Sequence, residues 1–102
     1  MSDINSLKRA LVTRVLEGDG TASVAMRRSA FDNTGLDEPM RTLVDKVARH
    51  AEMVTDEDFA AVREVGLSED QIYEIVVCAA IGQASRQYDS ALEALEAATA
   101  AR

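Results

Sequence analysis

Val65-Gly66-Leu67-Ser68-Glu69-Asp70-Gln71-Ile72-Tyr73-Glu74-Ile75-Val76-Val77-Cys78-Ala79-Ala80-Ile81-Gly82 carries a complete helix start followed by the most apolar segment of the chain. Ser68 and Gln71 have the spacing of a capping box, in which each side chain bonds the other's backbone N–H. Leu67 and Ile72 flank it as a hydrophobic staple. Gly66 supplies the left-handed residue that ends the helix before it. Over residues 69–81, Ile72, Ile75, Val76, Cys78, Ala79 and Ala80 make the segment nearly continuous in apolar character, which predicts a central, buried helix. Gly82 either bends that helix or lets another backbone approach closely.

The same signals recur upstream. Thr55 is an N-cap followed by Asp56, Glu57 and Asp58, three acids in a first turn where the helix dipole favours negative charge. Val54 and Phe59 form a second staple. Asp37 or Glu38 caps a third helix with Pro39 in its first turn, and its apolar stripe is Met40, Leu43, Val44, Val47, Ala48 and Ala51. Ile4, Leu7, Leu11, Val12, Val15 and Leu16 repeat at helical spacing in the first segment, which Gly18-Asp19-Gly20 ends. Thr21 caps a weaker helix over 22–31, closed by the turn Asp32-Asn33-Thr34-Gly35. Downstream of Gly82, Tyr88, Ala91, Leu92, Leu95 and Ala98 predict a closing helix over 84–101. The expected fold is all-α: one domain over 1–102, a bundle of five or six short helices.

Composition narrows the function classes. The 102 residues are 47% hydrophobic, 28% charged and 4% aromatic, a globular profile rich in helix formers. A domain of this size buries roughly 60–65% of its unfolded surface. Its helical stripes carry more apolar surface than that leaves room to hide, so self-association is expected. Net charge is −7. Residues 1–49 are about neutral, and residues 50–102 carry three Arg against eleven Asp and Glu. An acidic C-terminal half repels phosphate backbones, and helix 69–81 has no Lys or Arg to enter a groove, which argues against a nucleic-acid partner. The pair Arg27-Arg28 reads as a solvated face or an interface ion pair.

Met1-Ser2-Asp3-Ile4-Asn5 has no basic segment leading into an apolar one, and the longest apolar run, Ile75 to Ile81, is far short of the ~20 residues of a membrane span. A single cysteine and a single histidine leave no intrachain disulfide and no Cys/His zinc site. The expectation is a cytoplasmic protein with no membrane partner, no metal and no cofactor.

Over residues 43–95, two blocks carry a family resemblance: Leu43-Val44-Asp45-Lys46-Val47-Ala48-Arg49-His50 and the Gly66-Leu67-Ser68 helix start with its Ile72 and Glu74. With the Ala/Gly-rich helix that follows, they resemble the carboxymuconolactone decarboxylase / alkylhydroperoxidase D (AhpD-like) superfamily. The resemblance covers about half of the chain. It implies an all-α fold assembled as trimers or hexamers. Active members of its peroxidase branch carry a CxxC with a His four residues on, plus an upstream Glu: one thiolate attacks, the other resolves, and His and Glu move protons. In that register this chain has Ala51, Val54 and Asp58. Started on Cys78, the motif meets Ile81 and Ser85.

The resemblance therefore implies a degenerate, non-catalytic AhpD-like helical protein, a homo-oligomeric accessory or interaction module with a possible protein partner. The alternative is an enzyme of the same superfamily, a single-cysteine peroxidase or a decarboxylase/lyase-type relative. That enzyme would need Glu74, Cys78 and His50 to converge in one pocket. Read structurally, Cys78 is a buried small residue, His50 a helix-end cap or interface residue, and Glu74 an ion-pair partner of Arg86 or Arg63. Tyr73 and Tyr88 are expected to pack with their hydroxyls at the surface, and Met40 and Met53 to fill core or interface gaps. Asp56-Glu57-Asp58 lacks the ligand spacing of a calcium loop.

Overall fold

A computed structural model describes residues 2–100, with side chains from Asp3 onward. The described residues form five α-helices: α1 (Ser2–Glu17), α2 (Val24–Asp32), α3 (Met40–Arg49), α4 (Asp56–Glu64) and α5 (Glu69–Ala100), with a single 3-10 turn at Ala51–Met53. The all-α expectation is met. The described residues extend 55 × 29 × 20 Å, with a radius of gyration of 15.5 Å against about 13 Å for a compact globule of this length.

The elongation comes from α5. Two helices were expected, over 69–81 and 84–101, and one continuous helix of 32 residues is observed. A glycine inside a helix costs only about 1 kcal/mol relative to alanine, too little to break one with apolar turns on both sides. Gly82 serves the other role open to it. A Cβ there would fall 2.7 Å from the carbonyl carbon of Phe31 and 2.9 Å from its Cα, and closer still to its oxygen. The C-terminal turn of α2 therefore lies directly on α5. One turn further along, Arg86 donates from Nη1 to the Phe31 carbonyl at 2.6 Å, placing a cation on the negative end of α2.

The principal core gathers around that contact: Leu16 and Ala22, Ala30 and Phe31 of α2, Val44 of α3, and Ile75, Cys78 and Ala79 of α5. Leu43, Val62 and Ile72 form a smaller cluster joining α3 and α4 to the start of α5. Val54 with Phe59, and Leu67, pack against it, as the staple spacings predict.

The caps are largely as expected. Ser68 and Gln71 exchange their bonds at 2.9 and 3.1 Å. Thr55 and Asp58 close a box of their own, and Lys46 on α3 bonds both Asp58 oxygens at 3.0–3.1 Å, tying α3 to α4. Gly66 is left-handed, with φ +105°. At α3 the first-turn proline moves outside: Pro39 occupies the N-cap position, and the Glu38 carboxylate accepts the N–H and hydroxyl of Thr42. The α3 stripe stops at Arg49, leaving Ala51 in the 3-10 turn. Ser23, not Thr21, caps α2, accepting from the Met26 N–H at 3.1 Å.

Gly82→Ala tests the packing at the α2–α5 contact. Helix propensity alone would stabilise the variant by about 1 kcal/mol. Overpacking against the Phe31 backbone outweighs that, so we expect a net loss of about 2 kcal/mol in urea unfolding.

Candidate functional site

Thr21 is free of the α2 cap because Glu74 holds it. The Thr21 N–H donates to both Glu74 carboxylate oxygens at 2.9 Å, its hydroxyl donates to Oε2, and the Ala22 N–H lies 3.4 Å from Oε1. Gln71, one turn earlier on α5, returns a bond from Nε2 to the Thr21 carbonyl at 3.3 Å. The first turns of α5 thus grip the α1–α2 connection from two sides. Gly20 makes room for this, since a Cβ there would fall 3.1 Å from Glu74 Cδ and 3.6 Å from Arg27 Cζ. The Thr21 hydroxyl bond, more than any other contact, keeps the Glu74 carboxyl below the usual carboxylate range. The backbone N–H groups and the Arg27 cation add to it against a smaller opposing effect of burial. The expected partners, Arg86 and Arg63, are not used: Arg86 is spent on Phe31, and Thr21 is closer in the fold.

Arg27 is the residue that sequence reasoning misplaced. Read as a solvated or interface charge, it is 6% exposed. Its Nη1 donates to the carbonyls of Gly18, at 2.7 Å, and Val15, at 3.4 Å, at the C-terminal end of α1. A guanidinium suits this place because the last carbonyls of a helix lack intrahelical donors and carry its negative pole. Its Nε is buried without a hydrogen-bond partner. Nothing local marks Arg27 for burial, since the carbonyls that receive it come from another helix.

Cys78 lies beneath this polar joint. It is 1% exposed, and its Sγ–H donates to the Val15 carbonyl at 3.3 Å. Burial pushes the thiol above its ordinary value. The Arg27 cation offsets part of that and the Glu74 carboxylate adds to it. The result is a protonated, hydrogen-bonded thiol, the opposite of an activated nucleophile.

Arg14, Asp19, Arg27, Tyr73, Glu74 and Cys78 contribute to an open groove of about 550 Å³ between the end of α1 and the start of α5. Two of the three candidate residues, Glu74 and Cys78, therefore meet. His50 does not join them. It caps the C-terminus of α3, its N–H bonding the Lys46 carbonyl at 2.7 Å, and lines a separate depression with Asn33, Arg41 and Met53. Its mostly exposed ring approaches only Glu52, at 3.7 Å. The groove thus holds no histidine to take a proton from Cys78.

Tyr73 departs from expectation, being 70% exposed, while Tyr88 is partly covered and carries Lys8 5.0 Å from its ring centroid. Met40 packs on both clusters, and Met53 is exposed. Among the described residues, no three His, Cys, Asp or Glu side chains converge as a metal-holding group, and no helix is long and apolar enough to cross a membrane. No family model, curated protein or solved structure matches the chain.

The Glu74 grip has a pH signature. A carboxyl whose folded value lies below its unfolded one contributes stability that is present above the unfolded value and lost as pH falls through the folded one. Glu74→Gln should cost about 1–2 kcal/mol at neutral pH. In urea unfolding followed downward in pH, its gap from the wild type should close as the pH drops below the ordinary carboxylate range.

Proposed function

We propose that this protein is a non-catalytic helical interaction module that works as a cytoplasmic homo-oligomer, with surface helices as its functional elements. The observation that carries this reading is the apolar surface left open on α1 and α5: Leu7, Tyr73 and Leu95 are 71%, 70% and 63% exposed, and Ile4 and Leu11 are about half exposed. Scattered apolar residues are ordinary on a protein surface, but large ones gathered on two adjoining helices mark a contact face.

The thiol side of the molecule supports the same reading. The chemistry of the AhpD-like resemblance needs two thiols and a histidine. Here one sealed thiol bonds a main-chain carbonyl while the histidine caps another helix. Arg27 and Glu74 are both engaged in holding the α1–α2 connection, and such a joint is what a rigid presenting scaffold requires.

Labelling of Cys78 by a thiol reagent tests this. We expect native labelling to be slower than labelling of the urea-unfolded chain by several orders of magnitude, with no rate rise below the free-thiol value of ~8.5. Fast native labelling that titrates well below that value would overturn the reading and point to a single-cysteine enzyme.

A further inference from the structure

The two helices that carry the open apolar residues lie side by side and antiparallel. Lys8 pairs with Asp89 at one end, and the Val15 carbonyl receives Cys78 at the other. Around α1, Ile4, Leu7 and Leu11 fall about 100° from the line Lys8, Val12, Leu16 that meets α5. Around α5, Tyr73, Val77, Ala84 and Leu95 fall about 100° from the line Cys78, Ser85, Asp89 that meets α1, in the same rotational sense. In an antiparallel pair, equal offsets of the same sense bring both stripes to one side. The grooves agree: Arg14, Val15, Tyr73 and Val77 line one side of the helix pair, and Asn5, Arg9, Thr13 and Ser85 the other. Ile4, Leu7, Leu11, Tyr73, Ala84 and Leu95 are all exposed. They form one apolar face that the described part of the fold leaves open.

We propose that this α1–α5 face pairs with the same face of a second copy of the chain about a two-fold axis, giving a four-helix contact. This rests on the interaction-module reading and names its partner. Size supports it. From Tyr73 to Leu95 α5 contributes about 33 Å and the 16-residue α1 about 24 Å, and with each helix about 10 Å across they give roughly 570 Å² of projected area. That is below the ~800 Å² per partner of a standard interface but, counted on both copies, above the ~1,000 Å² total that a specific one needs.

Charge supports a second copy over a charged partner. The chain carries −7, yet on α5 the wheel places Asp89, Glu93 and Glu96 off the open stripe. Between Tyr73 and Leu95 that stripe presents only apolar, alanine and amide side chains, so the α5 helices of two copies can meet without juxtaposing like charges. On the α1 side, Arg14 follows Leu7 and Leu11 and stands at the Tyr73 end of the face. The alanines suit helix on helix. Ala84 lies midway between Tyr73 and Leu95 and Ala91 further along, and small side chains let axes approach towards 8 Å. An axis near Ala84 brings Leu95 of the second copy over Tyr73, at the groove where α1 ends.

Light scattering coupled to size exclusion tests the pairing. Wild type should run at twice its 11.0 kDa. The double variant Leu7→Glu/Leu95→Glu, altered only at exposed positions, should keep its helical circular dichroism and dissociate, with affinity weakened about 100-fold or more. Met53→Glu, equally exposed but off the face, should remain dimeric. Ala84→Cys should form an intermolecular disulfide under mild oxidation. A monomeric wild type at sub-millimolar concentration, a trimer, or a double variant that stays dimeric would overturn the proposal. In each of those cases, slow Cys78 labelling leaves the non-catalytic reading standing, and fast labelling overturns that reading whatever the oligomer.

Discussion

The close approach of α2 to α5 at Gly82 is the constraint on which the rest of the molecule depends. With no side chain at that point, the Phe31 carbonyl sits on the α5 backbone, and Arg86 bonds the oxygen that remains. The approach seats Ala30 and Phe31 against Ile75 and Ala79, bringing the main core together. Because α2 is only nine residues long, its position also sets where the α1–α2 connection falls along α5. That connection lands beside Glu74, two turns before Gly82.

Three charged residues then lock what the close packing has positioned, each by satisfying main-chain groups and not by pairing with an opposite side chain. Arg86 bonds the end of α2, Arg27 the end of α1, and Glu74 the N–H groups of Thr21 and Ala22. Each charge meets a helix pole or connection of opposite sign, an arrangement that tolerates burial because the orphan backbone groups need partners in any case. Its consequence for chemistry is direct. The two ionised groups nearest Cys78 are already occupied, and the thiol donates to the Val15 carbonyl, which Arg27 also reaches. A cysteine near an arginine and a glutamate is here a core residue.

The local half of this structure was legible in the sequence. Capping boxes, staples and left-handed glycines act within a single turn, so Thr55, Ser68 and Gly66 could be placed from spacing alone. Gly82 showed where that logic stops. Bending the helix and admitting a neighbouring backbone are equally open to a glycine, and the choice rests on α2, some fifty residues earlier in the chain. The Glu74 partner was misassigned for a related reason. Charge pairing suggested an arginine, whereas the fold supplied a threonine and two main-chain N–H groups. Of the candidate residues, Glu74 and Cys78 share a groove because they are one turn apart on a helix. His50 has no such tie to them and lies elsewhere.

By itself, then, the sequence determined that this chain is all helical, where most of its helices start and stop, and which helix lies at the centre. These follow from interactions between residues a few positions apart, whose geometry any helix supplies. Only the tertiary structure decided that α5 runs unbroken, that Arg27 is buried, that Cys78 lies buried against the Val15 carbonyl, and that the apolar stripes of α1 and α5 share one open face. Each of these depends on where a distant backbone comes to rest, and that is set by the collective packing of the core.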